Sequence, residues 1–140
     1  MHGRLKMICV ECGGIMRKSK DAVEYHVRGE LLMINGVPHY VCDGCGEIEI
    51  DLEAAENLSD MAHELYRKRH GLLSPHEIRA IRKSFGTTQQ EFERIINSGK
   101  TTVSRWENGS VMQPSVADTL LRVIRDFPEV FNSLVIKNKE

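Results

Sequence analysis

Every cysteine in the chain falls in one of two copies of a short phrase, Cys9-Val10-Glu11-Cys12-Gly13 and Cys42-Asp43-Gly44-Cys45-Gly46. A Cys-x-x-Cys pair puts two sulfurs on one tight turn, where both can reach a single ion at about 2.3 Å, and two such turns complete a tetrahedron. The glycine after each pair supplies a backbone position tolerant of positive φ, so that amides can approach the thiolates. Cys9, Cys12, Cys42 and Cys45 are therefore expected to hold a structural metal ion. Zinc leads, because tetrahedral thiolate sites select zinc or iron, with thiol-disulfide chemistry as the alternative. His39 lies close to Cys42, but four cysteines already fill the shell, so a strand histidine is expected there.

With 140 residues and cysteines only in the first third, two small modules are the economical reading. A module of about 50 residues buries too little apolar surface to be secure alone, so a metal staple there has a physical purpose. No apolar run approaches a membrane span, and Met1 to Ile8 is too short and polar for a signal peptide. A cytosolic protein with reduced thiols and no membrane partner is expected. Residues 1 to 6 read as an extension ahead of the fold. Residues 1 to 70 carry 9 basic and 12 acidic side chains, against 10 and 8 in residues 71 to 140. Between Cys42 and Tyr66 there are eight acidic residues and no Lys or Arg, a candidate face for a basic partner.

Val23, Tyr25 and Val27 alternate with polar neighbours, as in a half-buried strand. Leu31 to Ile34, Asn35-Gly36 and Val37 to Cys42 predict a hairpin, and Glu47 to Leu52 a further short strand. From Leu52 the period changes, and Ala54, Ala55, Leu58, Met61, Ala62 and Leu65 predict an amphipathic helix ended by Gly71. Ser74-Pro75-His76-Glu77 combines an N-cap serine, a proline at the first helical position and a capping-box glutamate. That helix should run to about Ser84. Thr88 to Glu91 reads as a second capping box, opening a helix through about Ile96. Helices follow over Lys100 to Glu107, from Pro114-Ser115 with Val116, Leu120, Leu121, Val123 and Ile124, and after Phe127-Pro128. The expected fold class is α+β: a small β-rich four-cysteine zinc module over residues 1–51, a connecting helix and linker over 52–72, and an all-α five-helix helix-turn-helix domain over 73–140.

Two short capped helices joined by a turn can place the second in the major groove of DNA. The stretches Ile81 to Phe92 (IRKSFGTTQQEF) and Thr101 to Gly109 (TTVSRWENG) resemble the repressor-type helix-turn-helix family that includes the phage repressors and Cro. By that resemblance Lys100, Thr101 and Arg105 occupy base-reading positions, while Val103 and Trp106 face the core. Thr88 and Gln89 open the supporting helix near phosphate, and Asn108 and Ser110 form a second backbone anchor. The side chains suit the task, since Arg and Lys can reach guanine acceptors and Thr offers a hydroxyl and a methyl. Arg82 and Glu107 match positions that form a structural ion pair. The apolar tail Val130, Phe131, Leu134, Val135 and Ile136 reads as a dimer surface, with core packing explaining part of it.

Taken whole, two Cys-x-x-Cys-Gly phrases followed by a helix and a repressor-type helix-turn-helix, the chain resembles the YgiT-type zinc-finger/helix-turn-helix family of MqsA-type antitoxins. The resemblance implies structural zinc and an N-terminal module that neutralises an mRNA-cleaving toxin. It also implies a homodimeric C-terminal module that represses its operon at a palindromic operator. In that family an asparagine and an arginine of the recognition helix read bases; Arg105 keeps the arginine, and Thr101 stands at the asparagine. A stand-alone regulator and a rubredoxin-like iron electron-transfer module fused to a DNA reader are the alternatives. No nucleophile, base and orienting group can be assembled from these motifs, so catalysis is not expected.

Overall fold

A computed structural model describes residues 7–139 of the chain, and the extension expected over residues 1 to 6 lies outside them. The elements are β1 (Met7–Ile8), β2 (Ile15–Ser19), β3 (Val23–Val27), β4 (Glu30–Ile34), β5 (His39–Cys42) and β6 (Ile48–Glu49), then α1 (Leu52–His70), α2 (Pro75–Ser84), α3 (Gln89–Ile96), α4 (Thr102–Asn108), α5 (Ser115–Asp126) and α6 (Pro128–Lys139). The α+β class and the five helices of the second half agree with the sequence. The chain divides into two compact units, the first ending at Arg69 and the second starting at His70. No helix among the described residues is long and apolar enough to cross a membrane.

The first unit holds two sheets. One is four-stranded in the order β1-β2-β5-β6, antiparallel throughout, and the other is the β3-β4 pair. The hairpin predicted at Asn35-Gly36 does not form. Val27 pairs with Glu30, so the chain reverses at Arg28-Gly29, where φ is 50° and 81°. Two successive positive φ values match the right-handed twist of the flanking strands, which makes this the tight hairpin turn. Gly36 also has positive φ, but its amide donates to the Lys20 carbonyl, and the chain there leaves one sheet for the other. Strands β1 and β2 carry too little alternation to be visible in the sequence. Helix α1 buries Ala54, Leu58 and Ala62, while Met61, expected on that face, is exposed. The Tyr25 hydroxyl donates to Ser59 Oγ at 3.0 Å and its ring meets His63 edge-on, which ties α1 to β3.

In the second unit the caps fall where the sequence places them. Ser74 and Glu77 complete the capping box of α2, with Pro75 at its first position. At α3 half of the box forms, Thr88 Oγ1 accepting the Glu91 amide at 3.1 Å. The core gathers Leu73, Ile78, Ile81, Phe92, Val103, Trp106, Leu121, Ile124 and Phe131. Helix α6 is longer than expected, and core packing takes up much of its apolar tail. Phe131 stacks on Phe85 and Phe92 at centroid distances of 4.0 and 5.8 Å. Val130, Leu134 and Val135 pack against the same core, leaving Ile136 as the outward residue of that tail. On α5 Leu121 and Ile124 are buried, while Val116 and Val123 are exposed.

Candidate metal centre and nucleic-acid interface

The antiparallel register fixes the metal centre. Pairing Met16 with Cys42 sets the second knuckle beside the start of β2, where the first one ends. Each knuckle closes on itself by the same bond, Gly13 donating to the Cys9 carbonyl and Gly46 to that of Cys42, both at 2.8 Å. Gly13 and Gly46 take φ of 75° and 79°, the left-handed conformation that glycine enters without strain. The four sulfurs then lie within 4.8 Å of one another. Cys9 and Cys45 are 3.6 Å apart and Cys12 and Cys42 are 3.4 Å apart, so all four are free thiols. A tetrahedral ion with sulfurs at about 2.3 Å requires edges of about 3.8 Å, close to the two distances of 3.4 and 3.6 Å and inside the 4.8 Å that bounds the quartet.

The surroundings are shaped for such an ion. A Cβ on Gly14 would meet the Cys42 and Cys12 sulfurs at 3.1 and 3.2 Å, and one on Gly44 would meet the same two at 3.6 Å. Bare backbone is what lets the two knuckles close around the sulfurs. The Gly14 amide points at Cys12 Sγ at 3.4 Å. The Cys42 thiol is lowered to about 7 by the Cys45 amide and then by the Cys12 sulfur, so it is the readiest thiolate. The Glu47 amide favours the Cys45 thiolate, but the Cys12 and Cys9 sulfurs outweigh it and push that thiol up to about 12. One thiolate comes easily near neutral pH, and a cation that takes the quartet must displace the remaining protons. His39 stands apart from the four, buried in β5 with its Nδ1 donating to the Val37 carbonyl at 2.8 Å.

The second candidate site is built on α3 and α4. Arg82 grips Glu107 with two bonds, Nε to Oε2 at 2.7 Å and Nη2 to Oε1 at 2.9 Å, while its Nη1 donates to the Thr87 carbonyl at 2.8 Å. Both members are buried, so this bidentate pair joins α2 to the end of α4 away from water. Burial alone would raise the Glu107 carboxyl. The bonds from Arg82 and then Gln89 outweigh it and hold the group below its usual 4.5. Gln89 Nε2 donates to Glu107 Oε1 at 3.2 Å, so the side chain expected at phosphate also serves the ion pair.

Helix α4 starts later than the sequence predicts. Asn97 takes left-handed φ of 61° and closes α3, and Thr101 takes φ of 64° and precedes α4 as its N-cap. Lys100 therefore lies in the turn. Thr101 provides no side-chain cap, and Glu93, buried on α3, fills the role by accepting the Val103 amide at 3.1 Å. The sequence reading missed Glu93; an uncapped start to α4 was the signal for it. It also missed Asp118 and Gln113, which tie α5 to the entry of α2. Asp118 Oδ1 accepts the Leu73 amide at 2.9 Å, and Gln113 Nε2 donates to the Leu73 carbonyl at 2.8 Å. Arg122 donates to Asp118 and to the Gly71 carbonyl.

With Val103 and Trp106 buried, α4 leaves Lys100, Thr101, Arg105, Asn108 and Ser110 exposed. Arg105 has no side-chain partner among the described residues. Asn108 Oδ1 accepts both the amide and the hydroxyl of Ser110, shaping the turn behind the helix. Thr88 is exposed at the start of α3, its hydroxyl engaged as the cap.

Residues 7–135 match the family described as the antitoxin component of bacterial toxin-antitoxin system, MqsA. Antitoxin MqsA of Escherichia coli (strain K12) is 26% identical over 131 residues, which cover 91% of this chain and 99% of that protein. Antitoxin HigA-2 of Vibrio cholerae serotype O1 (strain ATCC 39315 / El Tor Inaba N16961) is 31% identical over 62 residues, 44% of this chain and 60% of that protein.

Proposed function

The chain belongs to the MqsA antitoxin family, and from that premise we propose that it neutralises a toxin through its first unit and represses its own operon through its second. The observation that supports this most is the extent of the family match, which runs through both the cysteine quartet and the helix pair α3 and α4. On this reading the protein is a bacterial cytoplasmic regulator without catalytic activity, and its toxin is an mRNA-cleaving ribonuclease.

Cys9, Cys12, Cys42 and Cys45 hold one zinc ion, which staples the two knuckles and does no chemistry. Four sulfurs close the tetrahedron and leave no open position for water or substrate.

In the second unit a twofold dimer places two copies of α4 in successive major grooves, about 34 Å apart on a palindromic operator. Arg105 makes the bidentate contact to guanine. Lys100 and Thr101 read the neighbouring edges from the turn, where Thr101 is a weaker reader than a full helical residue. Thr88, Gln89, Asn108 and Ser110 fix the register on phosphates. The dimer surface is the outer stripe of α5, Val116, Val123 and Phe127 with half-buried Leu120, rather than the tail of α6.

A mobility-shift assay on the DNA upstream of the gene tests the reader, and Arg105→Ala should weaken binding by about 1 to 3 kcal/mol and relax preference at one base pair. Unchanged affinity would refute the register. Co-expression with the neighbouring gene tests neutralisation: growth inhibited by that gene alone should be restored by this one.

A further inference from the structure

The four-stranded sheet has two faces of different character. Met7 pairs with Met16 and Met16 with Cys42, and these side chains pack by the sulfurs. On the other face Ile8 pairs with Ile15 in one row, and two residues further along β2 Arg17 pairs with Val41 and Val41 with Ile48 in the next, so side chains from all four strands share this face. Ile8 is 61% exposed, Ile15 56% and Ile48 38%, with Val41 half-buried among them. A single exposed isoleucine needs no cause, but three on one face of one small sheet form a patch of the kind that marks an interface. Threonine would satisfy the same strand preference without exposing hydrocarbon.

The charges on this face say what can cover it. Arg17 Nε donates to Asp43 Oδ1 at 2.7 Å, an ion pair lying across the patch with both members open to solvent. Glu11, on the first knuckle, and Glu47, just after the second, are exposed at the knuckle end of the sheet. Among the described residues, Asp43, Glu11 and Glu47 outnumber Arg17 at this end of the sheet and leave its border acidic.

We infer that this outer face is where the toxin docks, through an apolar ridge flanked by Lys and Arg. The inference rests on the antitoxin reading and deepens it. A second copy of the chain fits less well, because both sides of a twofold contact would bring the same acidic border and no basic one to meet it. Nucleic acid does not fit, since phosphates would meet carboxylates.

The test uses the full chain and the small protein encoded beside its gene, measured by titration calorimetry. Ile15→Asp combined with Ile48→Asp alters side chains already in water, and should weaken binding by about 100-fold. Metal content and binding to the upstream DNA should stay as in the wild type. Glu47→Lys should weaken binding by about 3-fold, mainly through a slower association that added salt conceals. If the aspartates cost the unit its metal, Ile15→Thr with Ile48→Thr carries the test, with about 10-fold expected. A double variant that keeps its metal and binds as tightly as the wild type overturns the docking face. A wild-type chain that does not bind the neighbouring protein overturns the antitoxin reading and the face with it.

Discussion

In the first unit the interior at the cysteines is little more than Cys9, Met16 and Cys42 with Met7 and Tyr40 against them, the other buried apolar residues, among them Val27, Leu32, Ile34 and Leu58, lying on β3, β4, the approach to β5 and α1. The second unit closes over nine buried apolar residues and locks them with two buried polar networks, Arg82-Glu107-Gln89 and Leu73-Asp118-Gln113. The contrast separates two ways of holding a binding surface. With a cation on the quartet, the fold around the knuckles would hang on a metal equilibrium, so chelators, oxidants and acid should loosen it. The second unit hangs on packing and ion pairs, which neither chelators nor oxidants reach.

Metal removal should separate the units most sharply. Cys42→Ser, or chelation of the wild type, takes away metal binding on the order of 10 kcal/mol. Proteolysis should then cut between residues 7 and 51 while the helices of the second unit persist in circular dichroism. The converse is Phe92→Ala, which empties the space that Phe131 and Trp106 close around. It should cost the second unit about 3 to 5 kcal/mol and leave one metal per chain. Glu107→Ala strands the buried Arg82 and should cost about 3 kcal/mol in denaturant titration, with loss of DNA binding as α4 loosens.

Acid sharpens the comparison further. Burial pushes the Asp118 carboxyl up, but the Leu73 amide and then Arg122 outweigh it and hold it below its usual 3.8. A carboxylate lowered on folding contributes stability that is complete above its ordinary value and is lost as pH falls through the folded one. The second unit should therefore keep its Glu107 and Asp118 contributions down to about pH 4.5 and lose them below, through values under 4.5 and 3.8. Zinc bound to the thiolates should leave on acidification as protons compete for sulfur, and metal release and helix melting followed against pH should trace separate transitions. Smallest in stability is Arg105→Ala, which should move the melting temperature by about 1 °C or less, because an exposed side chain is removed from a helix surface.

The sequence reading was strongest where structure is local. Ser74, Thr88 and the apolar positions of α2 and α3 announce their helices because caps and helical periods act over one or two turns. The metal quartet was legible for the same reason, as two local phrases. The hairpin was misread because Asn35-Gly36 and Arg28-Gly29 both place glycine where positive φ is needed, and the choice lies in a distant bond from Gly36 to Lys20. Glu93, Asp118 and Gln113 were missed because a buried polar residue is recognised by its partner, and those partners are backbone groups at Val103 and Leu73. Phe131 was assigned to a dimer surface because an apolar tail looks the same in sequence whether its own core or another copy covers it.

The central claim is that toxin binding and DNA reading are carried by separately sustained units. It is tested most directly by stripping the metal from the full chain with a chelator and measuring both activities on one sample. The neighbouring protein should no longer be bound, while the mobility shift on the upstream DNA persists, and added zinc should restore capture. Loss of both activities together, or capture that survives with less than about one-tenth of the metal remaining, would contradict the account.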